Sequence, residues 1–416
     1  MKTKATSIKF TLICFFIICE LLFHLVSQAQ NQQKYAYPIV DTGVKTYYDN
    51  NSSIAKPEKG EPFYGQDAHY TNNVPNYKDN GDGTVTDLVT GLMWQKKLLP
   101  EKYTYKDATK LANNSDLAGY NDWRLPSIKE LYSLIMFYGK DIGIKTYKSN
   151  NNQPFIDTKY FNFRYGNSEN NERIIDAQYA SSTKYIGTTM NGNPTAFGVN
   201  FADGRIKGYP ITSPRGEKLF EVRLVRGNPD YGKNNFIDNN NGTITDLATG
   251  LMWSKDDSKK GMNWKDALEW VQKKNKEQYL GFNDWRLPDA KELQSIVNYN
   301  QSPQTHELPA IDQSFFNCSP ITVEDNTKDF PFYWTSTTHA NNRGGGSQAV
   351  YISFGTALGW MPNRRNHTRT LIDVHGAGAQ RSDPKTGNPK DYPYGLGPQG
   401  DVRRIFNYIR LVRSTE

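Results

Sequence analysis

The chain has 416 residues, 37% of them apolar and 13% aromatic, with 26 Tyr and a formal net charge of +7. That is enough for two domains of ordinary size, and the Tyr-rich composition suits partly wet β surfaces better than a leucine-packed bundle. The charge excess is too mild and diffuse for nucleic acid, but it is compatible with anionic glycans or cell-surface polymers.

Residues 1–29 read as a signal peptide. Lys2, Lys4 and Lys9 precede an apolar run over 10–26, and Ser27-Gln28-Ala29 offers small residues where a signal peptidase cuts. An exported protein is therefore expected, in the periplasm, at the cell surface or secreted. No membrane span is expected after signal cleavage, because no other stretch is long and apolar enough. Cleavage takes Cys14 and Cys19 and leaves Cys318 alone, so no internal disulfide can form. Residues 30–74, rich in Asn, Gln and Tyr, read as a lead-in: a linker or part of the first domain.

From there the chain repeats itself. "NGDGTVTDLVTGLMWQK" (80–96) returns as "NNNGTITDLATGLMWSK" (239–255), and "GYNDWRLPSIKEL" from Gly119 returns as "GFNDWRLPDAKEL" from Gly281. "PFIDTKYF" (154–161) is echoed by "PAIDQSFF" (309–316), and "YASST" (179–183) by "YWTST" (333–337). "VRLVRG" (222–227) and "IRLVRS" (409–414) close the two copies. Blocks recurring in one order at this long period mean duplicated domains, here 75–227 and 228–416. The offset widens after the Ser-Thr block, which places an insertion near 364–404 in the second copy. It reads as a long Gly/Pro-rich loop, the kind that carries function.

Each copy predicts the same elements. The Gly before "TVTD" or "TITD" signals a hairpin, and "LMW" is the next short strand. Ser127 and Asp289 are N-caps, with Glu130 and Glu292 three residues on completing capping boxes. Asn263 caps a helix whose apolar stripe is Trp264, Ala267, Leu268 and Val271. The runs 196–206 and 349–360 alternate as strands. The fold class expected is α+β, with two helices and short antiparallel strands per copy.

These blocks resemble the Lcl C-terminal domain family, named after a bacterial collagen-like adhesin, in two tandem copies. "WRLP" before a helix, with a later Ser-Thr strand, is also similar to the formylglycine-generating-enzyme group and other C-type-lectin-like folds. The resemblance implies a C-type-lectin-like architecture for each copy. For function it implies adhesion, with recognition of sulfated or otherwise anionic carbohydrate.

The repeated words read as a structural frame: Trp94, Asp122, Trp123, Arg124 and Glu130 in the first copy, and Trp253, Asp284, Trp285, Arg286 and Glu292 in the second. Each Trp would fill a core, and Arg124 would pair with Glu130 or Asp87, since buried charges need partners. Arg223, Arg226, Arg410 and Arg413 recur and read as structural too. "DNGDG" (79–83) is not an EF-hand loop but reads as a polar hairpin turn: Lys78 stands where the first carboxylate belongs, and no Glu occupies the twelfth position. The scattered His residues form no zinc motif, Cys318 has no counterpart in the first copy, and no phosphate loop or nucleophile motif occurs. No metal, cofactor or catalytic residue is expected.

The insertion is the binding candidate. Arg364, Arg365, His367 and Arg369 cluster there, followed by His375, Arg381, Lys385, Tyr392 and Tyr394, with Arg403 and Arg404 beyond. Arg forks grip sulfate, phosphate or carboxylate bidentately, and aromatic faces stack on sugar rings. The function expected is a non-enzymatic, adhesin-like binding protein whose partner is carbohydrate or another surface polymer. The alternatives are an enzyme on the same fold using insertion-loop residues, and a structural cell-surface protein.

Overall fold

The computed structural model describes residues 35–143, 152–213, 216–342, 345–362 and 368–415. The proposed signal peptide lies outside them. Among the described residues no helix is long and apolar enough to cross a membrane.

Each copy begins with a four-stranded antiparallel meander. In the first, Tyr77–Asp79, Thr84–Asp87 and Leu92–Gln95 are joined by the closing strand Val225–Gly227. In the second, Phe236–Asp238, Thr243–Asp246 and Leu251–Ser254 are joined by Val412–Ser414. The "VRLVRG"-type block is thus a return strand that pairs with "LMW" and closes each copy on itself.

Two helices follow in each copy. They are α1 (Tyr105–Asn113) and α2 (Ile128–Ser133), then α3 (Trp264–Lys276) and α4 (Ala290–Ser295). Both capping boxes form, on Ser127 with Glu130 and on Asp289 with Glu292. Asn263 caps α3 through the Asp266 amide, and Trp264, Ala267, Leu268 and Val271 are its buried face.

The two copies share one six-stranded antiparallel sheet. The first contributes β1 (Gln178–Thr189), β2 (Asn193–Asn200) and β3 (Arg205–Pro210); the second contributes β4 (Phe332–Thr338), β5 (Gln348–Ser353) and β6 (Gln380–Pro384). The order is β4-β5-β6-β3-β2-β1, so β3 and β6 meet at the centre. Ile206 pairs with Gln380 there, and the Gly208 amide donates to His375 O at 2.7 Å. A Cβ at Gly208 would stand 2.6 Å from that carbonyl, so the seam needs glycine.

One hydrophobic core runs through both copies, holding Trp94, Leu131 and Ile135 together with Trp253, Leu293 and Ile296. The helices α2 and α4 meet with a reciprocal tie. Lys129 Nζ donates to Ser295 O at 2.6 Å, and Lys291 Nζ donates to Ser133 O at 2.9 Å. Each lysine thereby satisfies a carbonyl at the end of the other copy's helix, where no intrahelical donor remains. Burial lowers both amines, Lys129 to about 7 and Lys291 to about 8.

The lead-in is neither a linker nor confined to the first copy. It runs between the copies and over the second. Thr42 O accepts from the Phe137 amide at 2.8 Å, and Tyr37 N donates to Ala248 O at 2.8 Å. Asp67 is buried and accepts from the hydroxyls of Thr42 (2.8 Å) and Thr337 (2.5 Å). Gly60 N reaches Gln272 Oε1 at 2.8 Å, and the Phe63 ring lies 6.4 Å from Trp264.

Candidate functional site

The repeated words sit inside the frame. Trp94, Trp123, Trp253 and Trp285 are all buried. Arg124 donates to both Glu130 oxygens (2.7 and 2.6 Å) and to Gly227 O (3.1 Å). Arg286 makes the same fork to Glu292 in a fully buried setting. Asp87 is occupied with its own turn, accepting from Val89 and Thr90 amides. Asp122 and Asp284 stand at the surface and pair with Arg226 and Arg413. Arg223 and Arg410 are buried and donate to three carbonyls each: Gln95, Lys96 and Asn162 in the first copy, Ser254, Lys255 and Asn317 in the second.

The insertion is not a single loop. The segment 364–404 contains β6, the second copy's counterpart of β3, so the added residues fall on both sides of a central strand. Before it comes a hairpin, Leu358–Pro362 with Arg369–Asp373; after it comes an irregular segment over 385–404. The hairpin reaches across to the first copy, where Met190 N donates to Asp373 O (2.9 Å) and Tyr185 O–H donates to Asp373 Oδ2 (2.9 Å).

This redistributes the expected binding residues. Arg364, Arg365 and His367 lie outside the described residues. Arg369 is exposed, 5.1 Å from the Tyr394 ring centre. Tyr394 is 53% exposed and packs edge-on to Trp360, while Tyr392 is half-buried. Lys385 is sealed rather than presented to solvent. Its Nζ donates to Asp49 O (2.9 Å) and lies 3.9 Å from the Trp264 ring centre, and burial holds the amine well below its ordinary value. The lead-in covers it, which the sequence of the insertion alone does not reveal.

His375 and Arg381 are buried as well, but they face a cavity of about 410 Å³ at the seam between the copies. The first copy lines it with Asp141, Arg173, Asp203, Arg205 and Lys207; the second adds His375, Arg381, Asp401 and Arg403, and 396–399 form a rim. Arg205 pairs with Asp141 at 2.7 Å, and Lys207 pairs with Asp203 at 3.0 Å. Asp401 accepts from Arg381 with one oxygen and from His375 Nε2 with the other (2.9 Å).

Positive charge dominates this space. Burial lowers Lys207 to about 7, and Arg381 and Arg205 push in the same direction against Asp203. Burial, with Arg205 among the neighbouring cations, lowers Arg381 to about 10. Burial, then Arg381 and Lys207, holds His375 well below its ordinary value, so its imidazole is neutral. Arg381 Nε and Nη1 and Arg403 Nε find no acceptor among the described residues. Leaving a buried donor unpaired costs about 1–3 kcal/mol, so these N–H groups are poised for an acceptor brought from outside.

Arg403 also lines a second, more open groove of about 500 Å³, where Trp360, Tyr392, Phe406 and Tyr408 stand beside Lys390 and Arg404. Phe406 is 47% exposed. This is a wet aromatic surface with cations at its edge, and the added segment supplies Pro389, Lys390, Tyr392, Arg403 and Arg404 to it.

Sequence reasoning missed the first copy's share of the cavity. A signal exists: Arg205 and Lys207 alternate around Ile206, as Arg381 and Asp383 alternate around Ser382, so charged residues line one face of each strand. Nothing in the sequence says that these two strands are neighbours. Among the described residues no cluster of His, Cys, Asp or Glu could hold a metal ion. Cys318 is buried beside Tyr333, and burial pushes its thiol up to about 12.

Fold and site together define a duplicated α+β module with a charged cavity at its seam. The Lcl C-terminal domain family model matches residues 83–226 and again 242–372. The chain belongs to that family, as two tandem copies. Among curated proteins none matches it.

Proposed function

We propose that the protein is an exported, non-enzymatic, adhesin-like binding protein that recognises anionic carbohydrate, each copy having a C-type-lectin-like architecture. The observation that carries this reading is the buried Arg381 guanidinium, two of whose nitrogens lack acceptors among the described residues, in a cavity where cations outnumber carboxylates. A sulfate or carboxylate oxygen would satisfy either of these charge-assisted donors. The aromatic groove that shares Arg403 supports a saccharide as the rest of the ligand, because Trp and Tyr faces cover sugar rings while their polar tips stay wet. The family's link to surface adhesion points the same way.

A rival enzyme reading would rest on the His375–Asp401 pair. Asp401 is shared with Arg381, and among the described residues that line the cavity there is no Ser, Thr or Cys to act as a nucleophile.

A glycan-array screen of residues 30–416 tests the proposal, repeated with Arg381→Gln and, separately, Trp360→Ala. Sulfated or uronic-acid glycans are expected to bind, with at least tenfold loss in each folded variant. Clean folding with no glycan bound even at low salt would sink it.

A further inference from the structure

The two copies carry the same frame around α2 and α4, yet only one is covered. On the second copy, the lead-in crosses the N-terminal side of α4. Asp67 accepts from Thr337, Asn72 donates to Glu292 (3.3 Å), and Tyr70 lies 5.4 Å from the Arg286 guanidinium. On the first copy, the matching residues Arg124, Ser127, Ser182 and Thr183 line an open groove of about 800 Å³. Its far wall is the inter-copy linker, 229–236, and the stretch 296–300. That stretch is the counterpart of 134–138, which the lead-in touches at Thr42 and Gly43.

The strands record the same difference. All of 331–340 is buried, whereas Ser182, Lys184 and Ile186 are exposed. The Thr183 hydroxyl accepts from the Ile128 amide at 3.0 Å, as Thr337 accepts from Ala290. Thr337 donates its own O–H to Asp67; no described residue accepts from Thr183.

We propose that this groove docks an extended acidic segment of another polypeptide, which places a carboxylate on Thr183 as Asp67 is placed on Thr337. Charge favours such an occupant here more than on the second copy. Asp289, a buried carboxyl that its own burial, Glu292 and Asp67 all push up, is replaced by the uncharged Ser127, so an incoming carboxylate meets one acid fewer. Lys184 adds an exposed ammonium over Tyr105, at the place where Phe63 meets Trp264 on the second copy. A second copy of this chain is a poor occupant, because its own lead-in already serves its second domain. The inference does not depend on the glycan reading.

The probe is a synthetic peptide of residues 61–73, EPFYGQDAHYTNN, followed by fluorescence anisotropy against the full chain. Saturable binding is expected, weakened at least tenfold by Asp67→Lys in the peptide and by Ser182→Glu or Lys184→Glu in the protein. Both protein substitutions are at exposed positions, and unchanged melting curves would show that the fold is kept. Binding of a sulfated oligosaccharide should survive both, which separates this site from the cavity. No saturable binding up to millimolar peptide overturns the proposal. So does binding that neither protein substitution weakens, or a concentration-dependent dimer abolished by Ser182→Glu.

Discussion

The second copy's Ser-Thr strand is buried from end to end, while its twin in the first copy shows Ser182, Lys184 and Ile186 to solvent. Their frames are nearly identical: the same Arg–Glu fork, the same capping box, the same Thr hydroxyl accepting a helix amide. What differs is a segment outside both repeats, the lead-in, together with residues added on either side of β6. Duplication supplied two scaffolds. Covering one and extending it left the other with an open groove and created a cavity that neither copy could form alone.

The comparison is broken most severely by truncating one fork at a time. Arg286 keeps 6% side-chain exposure and Arg124 keeps 36%. Glu292→Ala strands a buried guanidinium and is expected to cost about 3–5 kcal/mol. Glu130→Ala leaves a cation that water can reach, and about 1 kcal/mol is expected. Urea unfolding of both variants checks this; equal losses would mean that the covering lead-in has no energetic weight.

A smaller effect is expected from pH. Burial raises Asp67 to about 7, opposed by the Thr337 and Thr42 hydroxyls. Its folded-state value exceeds the unfolded one, so its contribution is full below about pH 4 and is lost as pH rises through about 7. Amide exchange over 37–73 should therefore quicken beyond its intrinsic rise between about pH 4 and 7, and Asp67→Asn should flatten that response. The first copy's groove, lacking such a carboxylate, should show no matching change.

The smallest effect concerns the seam. Lys207 titrates near 7, so the cavity gains positive charge as pH falls. Calorimetry with a sulfated disaccharide should show affinity about three- to tenfold higher at pH 6 than at pH 8. Lys207→Met should remove the difference while leaving the peptide site of the first copy untouched.

Much of the frame was legible in the sequence because it is written locally. The capping boxes lie within four residues, the Gly turn adjoins its strand, and Trp at a repeated position between apolar neighbours announces a core. The cavity was half legible. His375 and Arg381 stood out as polar residues in an extra segment, but Asp203, Arg205 and Lys207, which share the cavity with them, come from the other copy, across a strand pairing with no local signature. Lys385 misled for the same reason: its burial depends on Asp49, 336 positions away in the chain. The lead-in's role was illegible because it belongs to neither repeat and has nothing to be aligned with.

The crossed lysines at the meeting of α2 and α4 set a limit on how this architecture can be divided or reshuffled. Cut between the copies, and each half keeps an ammonium with its carbonyl missing and a helix end with its donor missing. A descendant that lost one repeat would have to change both Lys129 or Lys291 and the apolar surface around it before the survivor could stand by itself.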